Sequence, residues 1–170
     1  MFPRIIKHRV NSISELKALP KDFGCEIDLR FNPEANNIYL NHDPENGGDN
    51  FEEWLNHFDH STLIINVKEL GLEKDIFDYL KKYKINDFFL LDQPTPYLIN
   101  SHKFHKGKAA LRISEFEPIE ALEKVNKFID WIWLDCFEGF PISSDEVKIL
   151  NKQEKKVCIV SPELQGRSNK

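Results

Sequence analysis

The feature that most constrains the fold is an alternation of short apolar runs with helical patterns. Most of the runs are nearly continuously apolar, which is typical of strands covered on both faces, as in a parallel sheet. Eight such β-rich runs occur in the 170-residue chain, at residues 4–10, 25–31, 37–41, 63–68, 87–92, 109–114, 131–137 and 156–161. A parallel arrangement requires a crossover between successive strands, so the segments between the runs decide the architecture.

Helical patterns fill most of those segments, at residues 12–19, 70–82, 114–128 and 144–153. In the first, Ser12 is placed as the N-cap and Glu15 completes a capping box. In the second, Ile76 and Leu80 fall on one face with other apolar residues three or four positions apart. A strand followed by a helix, repeated along the chain, predicts either a doubly wound sheet or a (β/α) barrel.

The run at 37–41 follows the run at 25–31 so closely that it is either its hairpin partner or its extension. Seven βα strands then remain, whereas a complete barrel has eight and is typically about 250 residues long. We therefore predict an α/β chain with one domain over residues 1–170, built as a (β/α) TIM-type barrel that is reduced or lacks the eighth strand in this chain.

Charge and composition exclude several classes of partner. The apolar stretches fall far short of the roughly 20 residues that cross a bilayer. A net charge of -5 without a basic tract disfavours nucleic-acid binding. The first ten residues lack the apolar region of a secretory signal, so we expect the cytoplasm. Three scattered cysteines predict buried, reduced thiols, and homo-oligomerisation stays open.

Polar residues collect where the predicted strands end, which is where barrel active sites form. In strand order they are His8 and Arg9, Glu26 and Asp28, His42 and Asp43 after the hairpin run, Asn66 and Lys68, Asp92, Arg112, Asp135, and Glu163. The period of two places Glu26 and Asp28 on one face of their strand. Two adjacent carboxylates repel each other unless a cation compensates them, and oxygen ligands suit Mg²⁺ or Ca²⁺.

Titratable and cationic groups beside such a metal predict phosphate chemistry. Two histidines can serve as acid and base across a phosphorus centre, since an imidazole titrates near neutral pH. Arg9, Lys68 and Arg112 are the predicted ligands of the phosphate oxygens. Trp133 shares a strand face with Asp135 and could pack against a sugar or glycerol group. We assign a pocket role to the remaining strand-end acids: Asp43, Asp92, Asp135 and Glu163.

Three short motifs near the start of the chain resemble those of a known family: His8-Arg9, Glu26-Ile27-Asp28 and His42-Asp43. Together they look like the HR, ExD and HD pattern of glycerophosphodiester phosphodiesterases, in the phosphatidylinositol-phospholipase-C-like superfamily. The match is strongest over residues 4–68. The resemblance implies that His8 and His42 are the acid/base pair and that Glu26 and Asp28 hold a metal. It also implies attack by a neighbouring substrate hydroxyl, which can give a cyclic phosphate.

The chain departs from that family pattern in two places. Where the family has a third acidic ligand followed by a lysine two residues later, this chain has Asn66 and Lys68. An amide oxygen can bind a hard cation but carries no charge, so Asn66 is the third predicted ligand. The stretch between Asp43 and the third strand is too short for the family's small inserted subdomain, which predicts a more open site.

The resulting hypothesis is a metal-dependent phosphodiesterase whose substrate is a glycerophosphodiester-like or saccharide or polyol phosphodiester. One alternative is a non-catalytic barrel that binds a phosphate ligand, which Asn66 favours slightly. Another is a sugar-phosphate lyase or isomerase that uses the same polar rim. Only the site can decide between these, because one fold serves many chemistries.

Overall fold

The computed structural model describes residues 3–44 and 47–167. A strand overlaps each of the eight predicted runs, and β2 extends one residue beyond its run at both ends: β1 Ile6–Lys7, β2 Gly24–Asn32, β3 Asn37–Leu40, β4 Leu63–Val67, β5 Phe88–Leu91, β6 Ala110–Ile113, β7 Trp131–Leu134 and β8 Lys156–Ile159. The α-helices are α1 Ile13–Ala18, α2 Phe51–Leu55, α3 Glu73–Lys82, α4 Thr95–Ser101, α5 Leu122–Val125 and α6 Ser144–Lys152. The chain divides into two compact units between Leu91 and Asp92.

The first unit contains a sheet whose parallel strands run in the order β1, β2, β4, β5. β3 pairs antiparallel with β2, so the hairpin alternative for residues 37–41 is confirmed. The predicted capping box of α1 is also present, because Ser12 and Glu15 bond reciprocally. α2 was not predicted, since its five residues are too short to show a helical period.

Alternation along β2 separates the core of this unit from its polar face. Cys25, Ile27 and Leu29 belong to the hydrophobic core, together with residues of α2, α3 and β4. Glu26 and Asp28 lie between them in sequence and therefore point to the opposite face, where each is only 1 % exposed. The same strand thus supplies both the core and the buried carboxylates.

The second unit contains the parallel strands β6, β7 and β8 in that order. Ile113, Ile132 and Leu134 pack in its core with residues of α4, α5 and α6. The helix predicted over residues 114–128 is wrong in its first part. Ser114 and Glu117 instead exchange two backbone hydrogen bonds in a tight turn, and helical structure begins only after Pro118.

The described cysteines are all free, and Cys25 and Cys136 are buried as predicted, whereas Cys158 on β8 is partly exposed. Burial raises the pKa of Cys25 to about 12, with a smaller contribution from the Glu26 charge, so this thiol stays protonated and inert at neutral pH. Within residues 3–44 and 47–167, none of the helices has the length and apolar composition needed to cross a membrane.

Candidate active site

The turn after β1 wraps around the side chain of Glu26. Arg9 adopts a left-handed backbone conformation with φ of 56°, and its N–H donates to Glu26 Oε2 at 2.9 Å. The His8 imidazole Nε2 lies 3.6 Å from the same carboxylate oxygen. The next amide, that of Val10, donates to the Glu26 carbonyl at 2.8 Å. The predicted His8-Arg9 motif therefore meets the predicted ExD motif directly.

The side chains of Glu26, Asp28 and Asn66 form a buried polar cluster on β2 and β4. Asp28 lies opposite Asn66 in the strand register. Lys68 places its Nζ atom 3.1 Å from Asp28 Oδ1. Asn11 holds the other oxygen of Asp28 with a 2.8 Å bond and accepts the Asp28 N–H at 2.9 Å.

Burial shifts the pKa of Glu26 in this cluster and that of His8 beside it. Burial, followed by the repulsion of the Asp28 carboxylate, raises the pKa of Glu26 to about 7, against the opposing effects of the Arg9 N–H, Lys68 and Asn66. Burial also lowers the pKa of His8, and the positive charge of Arg9 adds to the effect. Glu26 is therefore close to half protonated at neutral pH, and His8 is neutral there.

Three buried oxygens of the cluster accept no hydrogen bond: Glu26 Oε1, Asp28 Oδ1 and Asn66 Oδ1. A buried acceptor left without a donor costs about 1–3 kcal/mol. Asp28 Oδ1 has a compensating charge close by, from Lys68. No group of three His, Cys, Asp or Glu side chains that could hold a metal occurs in the described part of the chain. Two carboxylates and one amide nevertheless form an oxygen donor set that fits Mg²⁺ or Ca²⁺.

The second histidine, His42, lies in the loop after β3 between two charged partners. Its Nδ1 atom is 2.9 Å from Asp43 Oδ1, and its Nε2 atom is 2.7 Å from Arg9 Nη2. A guanidinium can only donate, so Nε2 is the acceptor and the neutral ring carries its proton on Nδ1, facing Asp43. The hydrogen bond from His42 lowers the pKa of Asp43, so this carboxyl is ionised at neutral pH.

Five of the predicted site residues lie in the second unit. Four of them are linked to one another by salt bridges or by strand pairing: Asp92, Arg112, Trp133 and Asp135. Arg112 pairs with Asp92, and it donates to Asp135 at 2.9 Å. Trp133 lies opposite Arg112 in the register of β6 and β7 and is buried. Glu163 is exposed in a short 3₁₀ turn over Pro162–Gln165. The phosphate-binding role of Arg112 stays a prediction. In this unit its guanidinium forms salt bridges with two carboxylates.

Asn11 is the residue around Asp28 that no sequence pattern marked. It directly precedes the N-cap Ser12 and therefore looks like part of the helix start. Its side chain instead clamps Asp28 from a distance of 17 positions along the chain. Hydrogen-bonded carboxylates of this kind are held in one orientation, which a ligand-binding oxygen requires.

Comparison with known proteins identifies the fold. No family model and no curated protein matches the sequence. A solved glycerophosphodiester phosphodiesterase from Parabacteroides distasonis ATCC 8503 matches with a TM-score of 0.66 and 14% identity, over 95% of this chain and 86% of that chain. A glycerophosphoryl diester phosphodiesterase from the same strain matches at 0.66 and 14%, over 92% and 71%. A glycerophosphodiester phosphodiesterase from Agrobacterium tumefaciens str. C58 matches at 0.65 and 11%, over 93% and 86%.

This chain has the fold of the glycerophosphodiester phosphodiesterases. The likeness confirms the predicted α/β class of the TIM-barrel type. The described strands hydrogen-bond into one sheet of five strands and one of three, which accords with the predicted reduced form. In (β/α) barrels the active site forms at the carboxyl ends of the strands. His8, Arg9 and Lys68 follow strands in that way here.

Proposed function

We propose that this chain is a phosphodiesterase that binds Mg²⁺ or Ca²⁺ and uses His8 and His42 as its acid/base pair. One observation carries the proposal. His8 lies against the buried Glu26 carboxylate, the neighbouring Arg9 guanidinium contacts His42, and one oxygen of each buried carboxylate lacks a hydrogen-bond donor. The proposed substrate class is a phosphodiester of glycerol, a small polyol or a saccharide, in line with what the named structures act on by their titles.

Glu26, Asp28 and Asn66 would hold the cation, and Arg9 and Lys68 would bind the phosphate oxygens. When bound, the cation supplies positive charge that neutralises the phosphate and assists a hydroxyl to lose its proton. Asn11 keeps Asp28 oriented toward this ligand set. The two cationic side chains stabilise charge that develops on the non-bridging oxygens.

The imidazoles divide the proton transfers. His8 has a lowered pKa and is neutral at pH 7, so it can accept the proton of the attacking hydroxyl. His42 donates to the departing oxygen, and for this Nε2 must first take up a proton from solvent, because the neutral ring carries its proton on Nδ1. Arg9 covers His42 Nε2 at 2.7 Å, and a bound phosphate would draw the guanidinium away and uncover that atom.

Hydrolysis of bis(p-nitrophenyl) phosphate and of glycerophosphocholine tests the proposal. EDTA should abolish turnover and added Mg²⁺ or Ca²⁺ should restore it. His8→Ala and His42→Ala should each lower kcat by about 100-fold or more, as expected for loss of an acid or base. His57→Ala is the matched control, because His57 is exposed at the end of α2. Turnover that survives in EDTA or in His8→Ala would contradict the proposal.

A second candidate is a barrel that binds a phosphate ligand without turnover. Asn66 brings no charge to the cluster, and the Lys68 ammonium already offsets Asp28 at 3.1 Å. Inorganic phosphate that binds while no phosphodiester is cleaved with any metal would favour this candidate. A sugar-phosphate lyase or isomerase would turn over its substrate even with His42→Ala, and none of the three named structures supports it.

A further inference from the structure

Arg30 continues the polar face of β2 beyond the two carboxylates. The period of two places Arg30 on the same face as Glu26 and Asp28, one step closer to the end of the strand. It lies opposite Tyr39 in the register of the hairpin with β3. Its side chain is 14% exposed, so most of the arginine stem is covered by protein.

The guanidinium of Arg30 is held between the backbone of His42 and the side chain of Glu69. Nη2 and Nε donate to the His42 carbonyl at 2.8 and 3.3 Å. Nη1 lies 3.5 Å from Glu69 Oε1. The other oxygen of Glu69 accepts the Phe31 N–H at 3.0 Å, which ties this carboxylate to the adjacent residue of β2.

This clamp acts on the loop after β3, whose described residues also bond to β2 and to one another. Residue 42 follows β3, and the preceding residue, Asn41, donates its N–H to the Asp28 carbonyl at 3.1 Å. The Asn41 side chain then accepts the Asp43 N–H at 3.0 Å. The His42 carbonyl itself receives its two donors from Arg30, so the peptide that carries the imidazole is fixed to β2.

We propose that Arg30 is a positioning residue that sets the place of His42 for catalysis. This inference rests on the proposed function. Arg30 does not act as a phosphate ligand, because its guanidinium is engaged by the His42 carbonyl and by Glu69. A rigid two-point contact of this kind suits arginine, whereas a lysine could supply only a single point of attachment.

Arg30→Met, Arg30→Lys and Glu69→Ala test the clamp, with Arg4→Met as the matched control. Arg4 pairs with Asp87 and Thr62, away from the histidines. Arg30→Met should lower kcat by roughly 10- to 100-fold with KM within about 2-fold, since small misplacements cost rate rather than binding. Arg30→Lys should recover part of the loss. The ¹⁵N signals of the His42 ring should move in Arg30→Met and stay fixed in Arg4→Met.

A raised KM with unchanged kcat in Arg30→Met would overturn the proposal in favour of a phosphate contact. Unchanged kcat together with unchanged His42 signals would overturn it as well. If circular dichroism shows that Arg30→Met does not fold, the ¹⁵N signals of the His42 ring in Arg30→Lys and Glu69→Ala decide instead. Signals identical to those of the wild type in both variants would reject the role of Arg30 as a clamp. The ring signals need no turnover. Absent wild-type activity would therefore reject the proposed function, while the signals still decide the role of Arg30.

Discussion

At the residue scale, the contact between Asp43 and His42 makes a prediction about proton placement. The Asp43 carboxylate accepts the Nδ1 proton and leaves Nε2 as the reactive nitrogen. Asp43→Asn removes the charge that favours this arrangement. We expect kcat to fall by roughly 10-fold or more with little change in KM, because the contribution lies in the proton transfer. Steady-state kinetics measure this, with Glu34→Gln as an exposed control, and a wild-type kcat in Asp43→Asn would contradict it.

The raised pKa of Glu26 makes a second prediction, for the cation-free protein. Its pKa is about 7 when folded and about 4.5 ordinarily, so the folded chain holds this proton more tightly. The resulting stabilisation is complete below pH 4.5 and is lost as pH rises through 7. The loss is on the order of 3 kcal/mol at most.

Urea denaturation in EDTA between pH 4.5 and 8 measures this dependence. Glu26→Gln keeps the size of the side chain and cannot titrate, so its unfolding free energy should fall less over that range. Added Ca²⁺ or Mg²⁺ should reverse the trend for the wild type, because the ionised carboxylate is the form that binds a cation. Identical pH profiles for the wild type and Glu26→Gln would contradict the account.

Sequence patterns predicted several of the first-unit residues that the structure brings together. The patterns that marked them extend over only a few neighbouring residues. His8, Glu26 and Asp28 were found from motifs and from strand alternation, both of which act over a few residues. Asn11 and Arg30 have their partners 17 and 12 positions away. Such contacts depend on how β2 lies beside other segments, which no local pattern encodes.

At the element scale, α3 and α6 end in the same strained way. Lys84 and Glu154 follow these helices in the left-handed region, with φ of 58° and 55°. A side chain costs about 1–2 kcal/mol there, whereas glycine adopts the conformation freely. Lys84→Gly and Glu154→Gly should each raise the free energy of unfolding by about 1 kcal/mol. Urea denaturation measures it.

The control for the helix ends is a glycine placed inside a helix. Lys81→Gly, an exposed position in the last turn of α3, should destabilise the chain by up to about 1 kcal/mol, because glycine is unfavourable where the backbone is helical. A loss of stability in Lys84→Gly comparable to that in Lys81→Gly would show that the left-handed conformation carries no strain.

The predicted start of the helix at residue 114 was wrong because hydrogen bonds of a serine side chain compete with the helical pattern. Residues 114–128 carry helical spacing, yet Ser114 accepts the Phe116 N–H with its side-chain oxygen and donates to the Glu117 carboxylate, which closes a tight turn. The Glu115 carboxylate accepts the N–H groups of Phe137, Glu138 and Gly139. Desolvation works to raise the pKa of the exposed Glu115 carboxyl, but these hydrogen bonds and one from its own N–H outweigh it and lower the pKa to about 2. The turn is therefore closed by its own residues, and Glu115 joins it to the segment 137–139.

At the scale of the whole molecule, the fold class follows from the alternation of strands and helices rather than from sequence identity. Alternating strands and helices predicted the α/β class, and the solved structures agree at only 11–14% identity. Covered parallel strands require only apolar residues of suitable shape, so many sequences satisfy the same architecture. The chemistry depends instead on a few residues such as Glu26, Asp28 and His42.

The most direct test of the account is calorimetric titration of Mg²⁺ and of Ca²⁺ into the wild type and into the double variant Glu26→Gln with Asp28→Asn. The variant keeps the size of both side chains and removes both charges from the buried cluster. We predict binding to the wild type, with loss of binding in the variant. No binding to the wild type, or equal binding to both proteins, would contradict the assignment of the cation to this cluster.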